Sequence, residues 1–360
     1  MLYNCLLKDY SSIARFFHPD FLKAIPILGI GESLFDVLGH YFKDDNLRLC
    51  FTFQSKYLGM SPWLCPGGFA IIPYVEHKFG IDHVKGGLNQ ISAGMAKAAK
   101  DLGAKIHLNK EVKRFQVKNR RIEKIIFKDG AEIDADTVLI NADFGHAMAD
   151  LFDKGVLKKY SEAKLRQKKY SCSTFMLYLG LDKLYETPHH NIYFARDYKK
   201  NVDEIAVSKK LSNDFSFYLQ NACVTDKSLA PAGKSTLYVL VPVPNNSSGI
   251  DWVKQKNAFR KKVLDAIERN TEFKDVREHI VAEKMITPAD WKNERDVFMG
   301  ATFNLAHNLG QMLYFRPRNK FEELDNCYLA GSGTHPGSGL PTIFESGRIS
   351  ANLIDKKYNK

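Results

Sequence analysis

Near its carboxyl end the chain reads Tyr328-Leu329-Ala330-Gly331-Ser332-Gly333-Thr334-His335-Pro336-Gly337-Ser338-Gly339-Leu340-Pro341. The apolar residues before the first glycine are typical of the end of a buried strand, and apolar residues at helical spacing follow the second proline. A strand, a glycine loop and a helix in this order present bare backbone N–H groups and a helix N-terminus to an anion or a flat cofactor. A tight loop that only connects strand to helix is the alternative.

A second group of motifs precedes this glycine loop, which we define as residues 331–339. The group comprises Gly300-Ala301-Thr302-Phe303, His307, Gln311, Tyr314-Phe315-Arg316-Pro317-Arg318-Asn319 and Asp325-Asn326. Residues 300–354 together closely resemble the C-terminal signature of the bacterial-type phytoene desaturase (phytoene dehydrogenase) family of FAD-dependent carotenoid desaturases. Weaker matching stretches extend back to about Asp20. The resemblance implies a mixed α/β flavoprotein fold with two dinucleotide-binding domains and an interleaved substrate domain.

The resemblance also implies which residues contact FAD. The family's loop closes over the cofactor, and the matching positions here are Gly331, Gly333, Thr334, His335, Gly337, Gly339, Leu340, Pro341 and Thr342. The backbone of Val112 is expected to meet the adenine, and the Asn141-Ala142 turn is expected to lie close to the diphosphate. Glycine suits such a loop because it tolerates positive φ and has no side chain to keep a ligand away.

Two residues near the start of the chain are candidates for the catalytic site. Family members tend to carry an acidic and a basic residue where Asp20 and Lys23 stand here, although arginine is commoner at the second position. The two share a helical face, so a surface ion pair or a helix cap is the structural alternative. Asp20 is the candidate acceptor for the proton that desaturation releases. His307 and His335 are alternatives, although a histidine in a glycine loop more often orders the loop.

The composition is that of an ordinary globular protein, with 44% hydrophobic and 26% charged residues. The net charge of +11 is compatible with nucleic acid, an anionic membrane surface, or no particular partner. No nucleic-acid motif accompanies the densest basic cluster, at residues 154–169, so we expect no nucleic-acid partner. A solvated helix face explains that cluster, and so does attraction to anionic lipid. We expect a cytoplasmic protein, peripheral on the membrane that dissolves its substrate.

Neither the cysteines nor the histidines have the spacing of a metal site. The six cysteines are scattered without a CxxC pair. His189 and His190 are adjacent, and on a strand they would point to opposite faces and chelate poorly. We therefore expect no metal.

The hydrophobic pattern predicts alternating helices and strands. A helix follows Gly86-Gly87, a strand covers 105–109, and a three-stranded meander covers 112–117, 122–127 and 132–133. The apolar run 137–140 predicts a strand buried on both faces, and residues 252–271 predict a long amphipathic helix. We assign residues 1–84 to a helical lid, 85–150 to the FAD-binding domain, 151–299 to the substrate domain, and 300–360 to the C-terminal FAD-binding part.

One expected motif is missing from residues 1–360. A dinucleotide-binding fold of this class begins with a Gly-x-Gly-x-x-Gly turn between a strand and a helix, and the chain contains no such turn. By the family's pattern the first βαβ unit is absent, so we expect the fold to be incomplete at its N-terminus. Two explanations remain open: the chain is truncated, or a separate chain supplies the segment.

The resemblance implies FAD-dependent desaturation of a carotenoid precursor such as phytoene. Such an isoprenoid hydrocarbon has no polar group, so its recognition requires an apolar channel of suitable length. A carotene isomerase or a polyene saturase on the same fold is one alternative. A non-catalytic remnant that binds lipid or a partner is another.

Overall fold

A computed structural model of the protein describes residues 8–24, Gly29 and residues 31–359. The α-helices, in chain order, are α1 (Pro19–Ala24), α2 (Leu34–Gly39), α3 (Asp45–Cys50), α4 (Ile71–Phe79), α5 (Asn89–Asp101), α6 (Phe144–Asp150), α7 (Glu162–Gln167), α8 (Tyr198–Asp203), α9 (Trp252–Asn270), α10 (Pro288–Arg295) and α11 (Leu340–Tyr358). The β-strands are β1 (Val112–Lys118), β2 (Arg121–Phe127), β3 (Glu132–Asp134), β4 (Val138–Ile140), β5 (Ser173–Leu181), β6 (His190–Tyr193), β7 (Phe217–Gln220), β8 (Ser235–Val243), β9 (Ile280–Ile286) and β10 (Cys327–Leu329).

The chain forms two compact units, each built from segments that are distant in sequence. The first unit consists of Met1–Lys78, Asn109–Ser171 and Asp296–Lys360, and the second of Phe79–Leu108 and Cys172–Arg295. Helix α5 therefore packs in the second unit, whereas our assignment of residues 85–150 grouped it with the meander. The four-segment domain assignment follows the family's pattern and stays a prediction.

The first unit contains two small sheets. Strands β1, β2 and β3 form an antiparallel meander, as predicted. Asn119 and Arg120 make its first turn at φ 48° and 60°, values of the mirror-image turns that match strand twist. The Asn326 side chain joins this meander to the second sheet: its Oδ1 accepts the Ile122 N–H at 2.9 Å, and its Nδ2 donates to the Ile122 carbonyl at 2.8 Å.

The second small sheet is the parallel pair of β4 and β10, which places the glycine loop. Val138 lies opposite Cys327, and Ile140 lies opposite Leu329. The predicted strand is confirmed, but its burial on both faces is wrong, because Leu139 is 44% exposed. All three residues of β10 are buried, so only the face of β4 that carries Leu139 lacks a covering layer in the described structure.

The second unit is organised by one antiparallel sheet in the order β6-β7-β8-β5-β9. Its apolar face packs on α9, and Leu177, Val239 and Val263 are each 0% exposed in this core. The long amphipathic helix predicted from Trp252 is α9, and that prediction is confirmed.

Helix α5 confirms the helix predicted after Gly86-Gly87, but the strand predicted over residues 105–109 is wrong. These residues form no strand, and Leu108 is 79% exposed. A strand needs a neighbour for its N–H and C=O groups, and none of the described strands pairs with this segment. Within the part of the chain that is described, no helix is long and apolar enough to cross a bilayer.

Candidate functional site

The glycine loop and the Asn141-Ala142 turn lie next to each other because β4 and β10 run in parallel. Each follows the carboxyl end of its strand, the edge at which open α/β sheets bind ligands. A methyl group at Gly331 would lie 3.0 Å from the Asn141 Oδ1. Gly331, Gly337 and Gly339 adopt φ values of 105°, 134° and 109°, which other residues rarely adopt. The structure thus brings the two sequence-predicted turns together.

Two of the loop glycines are required by the protein's own packing. A methyl group at Gly333 would lie 2.2 Å from the Phe144 Cβ, and one at Gly337 would lie 2.5 Å from the His307 Nε2. The expectation that the whole loop is bare in order to admit a ligand therefore needs correction. On the side of the loop that faces Phe144 and His307, protein atoms already fill the space that the missing side chains leave.

The segment 303–319 supports the loop from behind. The Ser338 N–H donates to the His307 Nε2 at 3.0 Å, and the His335 N–H donates to the Pro317 carbonyl at 3.2 Å. The Asn319 Nδ2 donates to the His335 carbonyl at 2.9 Å. His335 and His307 are both buried, so both order the loop. Burial, with the nearby Arg316 cation, holds the pKa of His307 well below its usual value, which keeps Nε2 free to accept.

Two residues that the sequence analysis did not single out hold this site together. Asp143 caps α6: its Oδ1 accepts the His146 and Phe298 N–H groups at 2.9 and 3.2 Å, and its Oδ2 accepts the Asn304 Nδ2 at 2.7 Å. Burial raises the pKa of the Asp143 carboxyl. The signal that would have identified this cap is an Asp directly after the predicted strand, a preferred residue type at helix N-caps. The other residue is Arg316, which is fully buried beneath the loop.

Several N–H groups of the loop have no acceptor in the described part of the chain. They belong to Gly333 and to Leu340 and Thr342 in the first turn of α11. Gly339, Leu340 and Pro341 are exposed, so the helix N-terminus, with its partial positive charge, is open to a ligand. The cavity between Ile140, Ala142, Phe144, Met148, Leu329, Ala330, Gly333 and Thr334 measures about 10 Å³. That is room for about one water, so a cofactor does not fit inside this cavity.

Comparison with known proteins identifies the family. The family of flavin containing amine oxidoreductases matches residues 13–355. Over 357 residues the chain is 55% identical to a 4,4'-diapophytoene desaturase (4,4'-diapolycopene-forming) from Methylomonas sp., covering 99% of this chain and 70% of that relative. The chain belongs to the carotenoid desaturases of this flavoprotein family.

Other relatives of this carotenoid desaturase support the same family assignment. An all-trans-zeta-carotene desaturase from Myxococcus xanthus is 39% identical over 91% of this chain and 63% of its own length. The crystal structure of an oxidoreductase from Methanosarcina mazei has a TM-score of 0.59 at 18% identity, over 90% of this chain and 68% of that one, and shows a shared fold. The predicted family, the FAD-binding fold, the oxidoreductase class and FAD as the family's cofactor are confirmed. The chain spans about two thirds of these proteins' lengths.

The remaining predicted site residues belong to other elements of the fold. Val112 begins β1, in a different sheet from β4 and β10. Asp20 and Lys23 lie in α1, as the helical prediction expected; Lys23 is exposed, and the Asp20 side chain lies outside the described part of the structure. The roles of these three residues stay predictions.

The expectation that His189 and His190 point to opposite faces is wrong. Their rings stack with centroids 4.3 Å apart, because His189 precedes β6. The Nδ1 of His189 lies 2.8 Å from the Thr225 Oγ1, and that of His190 lies 2.6 Å from the Tyr218 hydroxyl oxygen. Among the residues that are described, no three His, Cys, Asp or Glu side chains form a group able to hold a metal ion.

Proposed function

We propose that this carotenoid desaturase holds FAD along the outer face of the glycine loop and the N-terminus of α11, and that it desaturates 4,4'-diapophytoene. The observation that carries the proposal is the pairing of two turns at the carboxyl ends of β4 and β10, with unpaired N–H groups at the second. The choice of substrate is supported by the 55% identity to the Methylomonas enzyme.

Each part of the site has a proposed task. The Asn141-Ala142 turn contacts the diphosphate, and the backbone of Val112 contacts the adenine. The N–H groups of Leu340 and Thr342 donate to polar atoms of the flavin, whose negative charge the positive end of α11 favours. FAD, when bound, supplies the redox step by accepting a hydride. The protein orients the hydrocarbon and excludes water.

Product analysis tests this function. In a carotenoid-free host supplied with 4,4'-diapophytoene, we expect products that have lost two hydrogen atoms per step. A parallel host supplied with phytoene measures the substrate preference. An isomer of unchanged mass would favour the isomerase, a product with added hydrogen would favour the saturase, and no product from a flavin-free protein would favour the remnant.

Asp20 is the proposed proton acceptor, with Lys23 beside it on α1. Asp20→Asn should lower the desaturation rate by about 10² to 10⁴ while flavin absorbance stays unchanged, because a general base acts on the reaction and not on cofactor binding. Asp9→Asn, an acidic residue of the same region, is the matched control. A full rate in Asp20→Asn would exclude the assignment.

Peripheral attachment to an anionic membrane is also part of the proposal. Lys154, Lys158 and Lys164 are exposed, whereas Lys159 pairs with Glu322 and therefore adds less to the attraction. Exposed aromatic side chains in the helical region, Phe17, Tyr41 and Tyr74, supply apolar contacts. Sedimentation with anionic liposomes should fall as salt rises. Sedimentation that is absent, or independent of salt, would argue against attachment.

We propose finally that a segment containing the Gly-x-Gly-x-x-Gly turn, from outside residues 1–360, completes the FAD site. The parallel pair of the first unit supports this, because Leu139 of β4 is 44% exposed and no third strand of the described chain joins the pair. A covering segment would remove Leu139 from water. Size-exclusion chromatography with flavin absorbance tests the idea: flavin carried stably by these 360 residues alone would contradict it.

A further inference from the structure

Arg316 is a fully buried cation directly behind the glycine loop. Its Nε donates to the Thr334 carbonyl at 3.0 Å, and its Nη2 donates to the Ser332 carbonyl at 2.6 Å. The same guanidinium donates to the Gln311 carbonyl at 3.2 Å and to the Leu305 carbonyl at 3.3 Å. It forms no ion pair with any described carboxylate. Its only hydrogen-bond partners in the described chain are therefore four backbone carbonyls.

Burying a cation of this kind costs free energy. Its presence here therefore indicates that it provides something that an apolar residue cannot. Removing a charge from water without a counter-ion is strongly unfavourable, and apolar replacements of buried charges are often tolerated. Burial lowers the pKa of Arg316 to about 9, so the side chain remains charged at neutral pH. Only the planar fork of arginine, with five N–H donors, bonds to carbonyls of two separate segments at once.

The bonds to Ser332 and Thr334 set the direction of the loop's peptide groups. In a trans peptide the N–H points opposite to the carbonyl of the preceding residue. Because the Ser332 carbonyl points inward to Arg316, the N–H of Gly333 points away from it. That N–H is one of the donors without an acceptor in the described structure. Arg316 therefore orders the loop and also directs the N–H of the buried Gly333 away from the guanidinium.

We propose that Arg316 is the positioning residue of the flavin loop: it tethers segment 305–311 to the loop and fixes the direction of the loop's peptide groups at Ser332 and Thr334. The inference rests on the proposed function for the identity of the ligand, FAD. The orientation of the loop itself is a property of this chain's own residues.

Two substitutions test the role. Arg316→Lys keeps the charge but has three donors on one atom, and Arg316→Met keeps the approximate volume and removes every donor. Arg260→Met is the matched control, because Arg260 pairs with Glu283 in the second unit at 2.5 Å. Amide hydrogen exchange is measured by mass spectrometry on the 360-residue protein without flavin, and FAD binding is then measured by quenching of flavin fluorescence.

We expect exchange in peptides covering residues 331–341 to be at least about tenfold faster in Arg316→Met and intermediate in Arg316→Lys, with β5 and β8 unchanged. Any FAD binding that the parent chain shows without the completing segment should weaken by at least about tenfold in Arg316→Met, and Arg260→Met should match the parent protein in both measurements. Faster exchange in both units alike, or a loop that exchanges at the parent rate, would overturn the proposal, and so would parent-like FAD binding in Arg316→Met. If Arg316→Met does not fold, the loop exchange of Arg316→Lys decides.

The two proposals can fail separately. If the parent chain binds no FAD but the loop exchange changes as expected, the positioning role stands and the flavin assignment for this chain alone fails. If the parent chain binds FAD and both Arg316 variants bind it equally well, the flavin assignment stands and the positioning role fails.

Discussion

The five-stranded sheet of the second unit and the parallel pair of the first unit stabilise their strands in different ways. The large sheet places a continuous apolar face on α9, so burial of side chains such as Leu177 accounts for its order. In the parallel pair, each strand is three residues long and Leu139 is exposed. Three polar side chains around the pair form hydrogen bonds to neighbouring backbone groups and contribute to its stability: Asn326, Asp143 and Arg316. The five-stranded sheet is thus stabilised by its own apolar contacts, whereas the parallel pair also depends on buried hydrogen bonds.

The same substitution in the two sheets tests this difference most directly. Leu177→Ala should lower the free energy of unfolding by about 2 to 5 kcal/mol, because it leaves a cavity in a close-packed core. Leu139→Ala should cost less than about 1 kcal/mol, because its side chain is already partly in water. Urea unfolding followed by circular dichroism measures both. Equal losses would contradict the comparison.

Glycine substitutions sharpen the comparison at the loop. Gly333→Ala should destabilise the protein by about 1 to 3 kcal/mol, since its methyl group would overlap Phe144, and should also displace the loop. Gly347→Ala is the matched control: no heavy atom lies within 4 Å of the added methyl, and the residue is inside α11. We expect the control to gain about 0.5 to 1 kcal/mol, as alanine in a helix does. Thermal unfolding of both variants checks these signs.

The polar link between the meander and the parallel pair is the third test. Asn326→Ala leaves the buried N–H and carbonyl of Ile122 without partners and should cost about 1 to 3 kcal/mol. Asn326→Asp keeps the acceptor for the N–H but sets a buried carboxylate oxygen against the Ile122 carbonyl, so a loss at least as large is expected. The measurement is again the free energy of unfolding in urea. A neutral Asn326→Ala would show that apolar packing alone holds the pair.

The smallest expected effect is a pH dependence from His307. Its pKa in the folded protein lies well below the ordinary 6.5, so the unfolded chain binds a proton first as pH falls. The stability contribution is present above pH 6.5 and is lost below it, by about 1.4 kcal/mol between pH 7.5 and pH 5.5. His307→Gln retains an acceptor for the Ser338 N–H and should remove this slope. Urea unfolding of both proteins at the two pH values measures it, and identical slopes would contradict the assignment.

Much of the fold was predictable where the deciding signal is local. Alternating apolar residues and turn residues predicted the meander, and helical periodicity predicted α5 and α9. The strand predicted at 105–109 failed because strand formation depends on a neighbour as well as on the segment's own pattern. The predicted burial of Leu139 was wrong for a similar reason, since an apolar run does not reveal what covers each face of its sheet.

Some features of the candidate site could likewise be predicted from the sequence, and others could not. The glycines and the Asn141-Ala142 turn were identified from the resemblance, and parallel pairing brings the two turns together. The proposed role of Arg316 could not be predicted from the sequence, because an arginine within a motif is usually interpreted as a surface or ligand-binding cation. That Gly333 and Gly337 make room for Phe144 and His307 was equally invisible, because those partners lie 189 and 30 positions away in the sequence.

By itself the sequence determined the family, the FAD-linked chemistry and the strand, loop and helix at the carboxyl end, because these depend on residue types at short spacing. Only the tertiary structure decided which atoms fill the inner side of the glycine loop and which N–H groups remain free for a ligand. Those outcomes depend on contacts between segments that only folding brings together. What a buried cation such as Arg316 does depends on the carbonyls that surround it in the folded protein.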